Sequence, residues 1–88
     1  MNRNAILIHP DDNVAVAIRE IKAGEAIEGI EGVDIDVAAD IPPSHKVAIV
    51  EIPQNRKVVK YGEPIGLAIQ NIKPGDWVHT HNLKGEDE

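Results

Sequence analysis

Apolar residues in this chain come in short bursts, each stopped by Pro, Gly, Asn or Asp before a helical period can establish itself. Residues 5–9 form one such burst, halted by Pro10 and the Asp11-Asp12-Asn13 cluster. Residues 13–21 admit two readings: a short amphipathic helix capped by Asp11 to Asn13, or a strand. The strand is preferred, because the segment carries an Ala-Ile-x-x-Ile phrase that recurs where strands are expected. Residues 33–37 alternate apolar and acidic side chains, the pattern of a half-exposed strand. Residues 41–44, Ile-Pro-Pro-Ser, read as a loop, since paired prolines cannot sit inside a central strand. Residues 45–52, 57–61, 64–69 and 76–81 complete the set of expected strands, and no long helix emerges.

One phrase is written three times: residues 17–27, 48–58 and 68–78 share Ala-Ile-x-x-Ile, a turn containing Gly or Asn, and then Ile or Val. Gly24, Asn55 and Gly75 hold the same turn position and are residue types that tolerate a left-handed backbone. The copies lie 31 residues apart (52 − 21) and then 20 apart (72 − 52), too irregular for a solenoid. They predict recurrent corners of a small β-structure.

Composition supports that picture. The 88 residues suit one small domain, here bounded at 1–84, with 85–88 as an acidic tail that is either a solvated terminus or the stump of a linker. Aromatic residues make up 2% of the chain, so the core must be built from Ile, Val, Leu and Ala, which favour strands when β-branched. A net charge of −6 argues against nucleic acid as the main partner, because phosphate binding needs clustered Lys and Arg. No apolar run approaches the ~20 residues needed to span a membrane, and the N-terminus does not read as a signal peptide. The absence of cysteine excludes disulfides and thiolate metal sites and makes the cytoplasm the default location.

The candidate chemistry lies in the last third. His79 and His81 are two residues apart on an expected strand, which would place both imidazoles on one face at a Cα spacing of roughly 6.5–7 Å. From there they can meet one metal ion or one anionic substrate. Together with Ser44-His45-Lys46-Val47-Ala48 and Lys60-Tyr61-Gly62-Glu63-Pro64-Ile65-Gly66, the segment Val78-His79-Thr80-His81-Asn82 resembles the SAF domain of the altronate and galactarate dehydratases. In those enzymes it is the N-terminal domain, and the chain also resembles the separate small subunit of their two-chain relatives. The resemblance covers nearly the whole chain, from Ala5 through Asn82.

The resemblance implies an all-β fold of the β-clip type in a small single domain. It also implies a part in β-elimination from a sugar acid, removing water to give a 2-keto-3-deoxy acid. A divalent metal, Fe2+ or Mn2+, would be held mainly by a large catalytic dehydratase subunit. With only six residues after Asn82 (88 − 82), this chain is expected to be the small subunit or an excised domain, inactive alone, with homo-oligomers possible when isolated. A sister group eliminates sulfite from sulfolactate with the same pair of subunits, which is the alternative activity.

Within that frame His79 and His81 are the catalytic candidates, as metal ligands or as acid–base groups, with Thr80 on the opposite face. Lys46 can hold a carboxylate, and His45 can add a third imidazole. Lys60, Tyr61 and Asn82 are substrate-binding candidates, Tyr61 through its phenol and Asn82 by orienting a hydroxyl or a histidine. Gly62 and Gly66 are expected to permit tight backbone geometry, His9 to be structural or exposed, and Trp77 to anchor a core or an interface. A non-catalytic SAF binding module is the rival class. It would not need His-x-His, export-type assembly factors would carry a signal segment, and an ice-binding face would want Thr arrays where this chain has only Thr80.

Overall fold

The computed structural model describes residues 3–85, and these are strands and turns with no helix among them. Seven strands follow in order: β1 (Ala5–Ile6), β2 (Val14–Ala17), β3 (Lys46–Ala48), β4 (Lys57–Lys60), β5 (Glu63–Ala68), β6 (Trp77–Val78) and β7 (Leu83–Gly85). Strands β1-β2-β3-β6 form one sheet in that order and β4-β5-β7 a second, with every pairing antiparallel. This all-β arrangement agrees with the expected β-clip. Residues 13–21 do take the strand reading, as β2.

The corners are where the sequence phrase becomes geometry. Gly24, Asn55 and Gly75 have φ of 90°, 72° and 91°, as their residue types predict. A fourth corner was hidden in the Pro-Pro loop: Ser44 has φ of 69°, and the His45 N–H donates to Pro42 O as Asp76 N–H does to Lys73 O. The irregular spacing is thereby explained, because the corners come as two pairs. Ile21 bridges Ile41, Ile52 bridges Ile72, and the second pair lies 31 residues after the first (52 − 21 and 72 − 41).

That shift also relates the two halves of the core. Ala17, Ile21, Ile27, Val37, Ile41 and Val47 belong to one buried cluster; Ala48, Ile52, Val58, Ala68, Ile72 and Val78 belong to the other. Each member of the second set is the matching residue of the first moved along by 31. The polar anchors repeat as well. Asn4 bonds Ala26 O and Glu28 N, and Asn13 bonds Lys57 O and Val59 N, so the bonded backbone groups are 31 residues apart (57 − 26 and 59 − 28) although the two asparagines are only 9 apart (13 − 4). The four bridging isoleucines are fully buried, so burial of each contributes ~1.5–3 kcal/mol to folding.

Several expected strands are shorter than the pattern suggested. Residues 33–37 form no named strand; Ala26 and Asp36 make a single bridge. Gly29 and Gly32, both at positive φ, turn the chain just before this segment and limit its pairing. Strand β1 ends at Ile6, because His9 to Asp12 closes into a turn. The strand expected over 76–81 stops at Val78, for a reason that belongs to the site.

Strand β7 was not anticipated. It places Gly85 opposite Gly66, so Gly85 is sheet rather than tail; the remaining tail positions, 86–88, lie outside the described residues. A Cβ on Gly66 would collide with the Lys84 carbonyl, which is the close approach expected of that glycine.

Candidate functional site

The site forms where the four-stranded sheet ends in its edge strand β6. Beyond Val78 the backbone does not continue as strand. The Asn82 side-chain oxygen accepts the His79 N–H at 2.9 Å, and its amide donates to Trp77 O at 2.8 Å. The N–H groups of Asn82 and Leu83 both donate to His79 O. Residues 79–82 are thus a turn wrapped around a buried asparagine. This corrects one expectation: His79 and His81 do not share a face through strand alternation. Asn82, 2% exposed with both ends of its amide engaged by backbone, shapes the turn and holds the His79 backbone.

The turn nevertheless brings both imidazoles to one place, because each packs on Trp77. His79 stacks on the indole with centroids 5.3 Å apart and planes 7° from parallel, and His81 lies 5.2 Å away at 42°. His45 joins them, 4.7 Å from His79 and 5.7 Å from Trp77, and accepts the indole N–H at its Nδ1 (3.1 Å). Register explains the meeting. Lys46 pairs with Val78 and Val47 with Trp77, so the corner ending in His45 sits beside the end of β6, where His79 follows. Trp77 does pack against one core cluster, as an anchor would, but it is also the hub of the three imidazoles.

The cluster is cationic and forms no ion pair among the described residues. The ion pairs among the described residues are His9–Asp11, Arg19–Glu25 and Lys22–Glu20, none of them here. Burial, and then the nearby Lys60 ammonium, lower the Lys46 pKa. Partial burial comes first for His79 too, followed by His45, Lys46 and His81, and together they hold it below the ordinary imidazole value. His79 is therefore neutral at pH 7, able to accept a proton or donate through one nitrogen.

Metal binding is a different matter. Among the described residues no group of three or more His, Asp or Glu side chains is placed to hold an ion. A lysine in the cluster adds positive charge where a cation would have to sit. By themselves, these residues do not fit the divalent metal implied by the resemblance.

Lys60 and Tyr61 occupy the tip of the β4–β5 hairpin. The Lys60 ammonium lies 5.0 Å from the Tyr61 ring centroid, and Tyr61, at φ 58°, is exposed. The tip is tied down by Asp12, a residue that sequence reading passed over. Its buried carboxylate accepts the N–H groups of His9, Tyr61 and Gly62 at 3.1, 3.1 and 2.7 Å. Gly62 (φ 75°) rests against the His9 ring, where a Cβ would clash, so both residues have the structural roles expected of them. Lys60 reaches the cluster electrostatically through Lys46; the Tyr61 phenol makes no hydrogen bond among the described residues. The signal for Trp77 was present in the sequence as Trp77-x-His79-x-His81, three rings at alternate positions.

Comparison with known proteins decides the family. Residues 3–86 match the altronate/galactarate dehydratase SAF domain. The chain belongs to that family. It is 45% identical over 82 residues to altronate dehydratase of Bacillus subtilis, covering 93% of this chain and 16% of that protein. It is 38% identical over 76 residues to galactarate dehydratase (L-threo-forming) of Escherichia coli, covering 83% of this SAF chain and 14% of that enzyme. The alpha subunit of (2R)-sulfolactate sulfo-lyase from Chromohalobacter salexigens is 32% identical over 90 residues, with 96% of each chain covered. This SAF domain thus spans about a sixth of the dehydratases it matches and nearly the full length of the sulfo-lyase subunit. Among the described residues, no helix is long and apolar enough to cross a membrane.

Proposed function

We propose that this SAF domain serves a cytoplasmic hydro-lyase that eliminates water from a sugar acid to give a 2-keto-3-deoxy acid, acting with a large catalytic dehydratase subunit. The supporting observation is the cluster of His45, His79 and His81 around Trp77, with Lys46 near enough to act on His79, in a domain 45% identical to an altronate dehydratase. Dehydration beside a carboxylate needs a base for the α-proton, a positive environment for the carboxylate and developing enediolate, and an acid for the leaving hydroxyl. Neutral His79, with His81 beside it, supplies proton transfer. Lys46, backed by Lys60, supplies the positive environment. The divalent ion, Fe2+ or Mn2+, belongs in this reading to the large subunit.

A second reading, a part in eliminating sulfite from sulfolactate, is favoured by the full-length match to the sulfo-lyase alpha subunit. Reconstitution separates the two. The chain mixed with the large subunit and a ferrous or manganous salt should form 2-keto acid from a hexonate, while the chain alone should not. His79→Ala or His81→Ala should lower turnover of the complex by about two orders of magnitude, and the exposed Thr80→Ala should be mild. Robust elimination by the isolated chain, or near-normal turnover of both histidine variants, overturns the reading. Sulfite release from sulfolactate without hexonate turnover selects the second.

A further inference from the structure

The indole N–H can only donate, and that of Trp77 is directed at Nδ1 of His45 from 3.1 Å. Nδ1 must therefore present its lone pair. In a neutral imidazole this leaves the proton on Nε2. Neither His45 Nε2 nor the Lys46 ammonium has a hydrogen-bond partner among the described residues, and none of the unpartnered polar side-chain atoms there is buried, so both face solvent. Two N–H donors from adjacent residues thus stand open on a cationic surface, in a chain whose net charge is −6. The same corner carries Ser44 at φ 69°, a conformation that Ser adopts only at some cost and that fixes the direction in which His45 and Lys46 leave it.

We propose that His45 Nε2–H and the Lys46 ammonium form an oxyanion-receiving site for a carboxylate, and that Trp77 is the positioning residue that sets the His45 proton. The inference deepens the function proposed above and rests on it only for the identity of the carboxylate as substrate. Lys60 acts on Lys46, and His45, Lys46 and His81 all act on His79; none of these neighbours among the described residues brings a negative charge. A carboxylate would supply a counter-charge that none of the described residues supplies in an ion pair, whereas a metal ion would meet a donated proton at His45 and an ammonium at Lys46. The chain therefore contributes anion recognition that needs no metal.

The test is nuclear magnetic resonance on the full chain, 15N-labelled, above the imidazole titration range. Long-range proton–nitrogen correlations should show His45 protonated at Nε2 and bare at Nδ1. In Trp77→Phe, which keeps a ring but loses the donor, His45 should become a tautomer mixture. Titration with D-gluconate should shift His45 and Lys46 saturably, and sorbitol, the uncharged polyol, should not. Lys46→Met should weaken gluconate binding about tenfold or more, and Trp77→Phe by a smaller factor, roughly threefold.

A wild-type His45 carrying its proton on Nδ1 overturns the assignment without recourse to any variant. So does equal response to sorbitol, or manganous ion selectively broadening His45, His79 and His81. Gluconate binding by a chain that supports no elimination leaves this site standing and sinks the proposed function. An active complex whose SAF chain ignores gluconate does the reverse.

Discussion

Replacing Asn82 with Ala removes the one side chain that turns the backbone after β6. Two hydrogen bonds go with it, from the His79 N–H and to the Trp77 carbonyl, and both backbone groups lose their partner at a position 2% exposed. Each loss costs about 1–1.5 kcal/mol, so the variant should be less stable by about 2–3 kcal/mol. A domain of this length holds roughly 4–13 kcal/mol in total, so the loss is large but survivable. Urea unfolding can be followed by the fluorescence of Trp77, the only tryptophan, which sits against the affected turn. With a slope of ~1 kcal/mol/M, the midpoint should fall by ~2–3 M. Asn82→Asp keeps an acceptor for the His79 N–H but sets a carboxylate oxygen against Trp77 O, and should fall between wild type and Ala. An alanine variant within ~0.5 M of wild type would refute the argument and return Asn82 to the role of ligand contact.

Two further outcomes follow from the same geometry. Gly66→Ala drives a methyl into the Lys84 carbonyl and should cost ~3 kcal/mol along with amide protection of β7, whereas Gly24→Ala, with open space but φ of 90°, should cost only ~1–2 kcal/mol by urea unfolding and leave β7 protected. His79 titrates below its ordinary value near 6.5 in the folded chain, so on acidification the unfolded chain takes up this proton first. Stability should fall as pH drops from that ordinary value to the lower folded value, then level off; His79→Ala should lack this loss, and a wild type that gains on the variant with acid refutes it.

Much of the fold was legible because its signals are local. Gly24, Asn55 and Gly75 announced left-handed corners by residue type, and Gly66 announced a close approach. The fourth corner was not legible, since Ser44 is neither Gly nor Asn and the preceding prolines read as a plain loop. Its conformation is held by partners distant in sequence: the Ser44 N–H donates to Ala17 O, and Ile41 pairs with Ile21. Once it is counted, the irregular spacing becomes a 31-residue repeat.

The candidate site divides along the same line. Sequence alone determined an all-β chain built from aliphatic residues and its turn chemistry, because backbone preference depends on neighbours a few residues away; His79 and His81 meet instead through packing on Trp77. It could not show that Asn82 ends strand β6 by capturing the His79 N–H; alternation describes a strand only while the backbone stays extended. Nor could it join His45 and Lys46 to Trp77, which lies 32 residues from its hydrogen-bond partner. That contact depends on the register of β3 against β6, and register is set by burying Val47 and Val78 in the two cores. Tertiary packing thus decided which rings meet at Trp77.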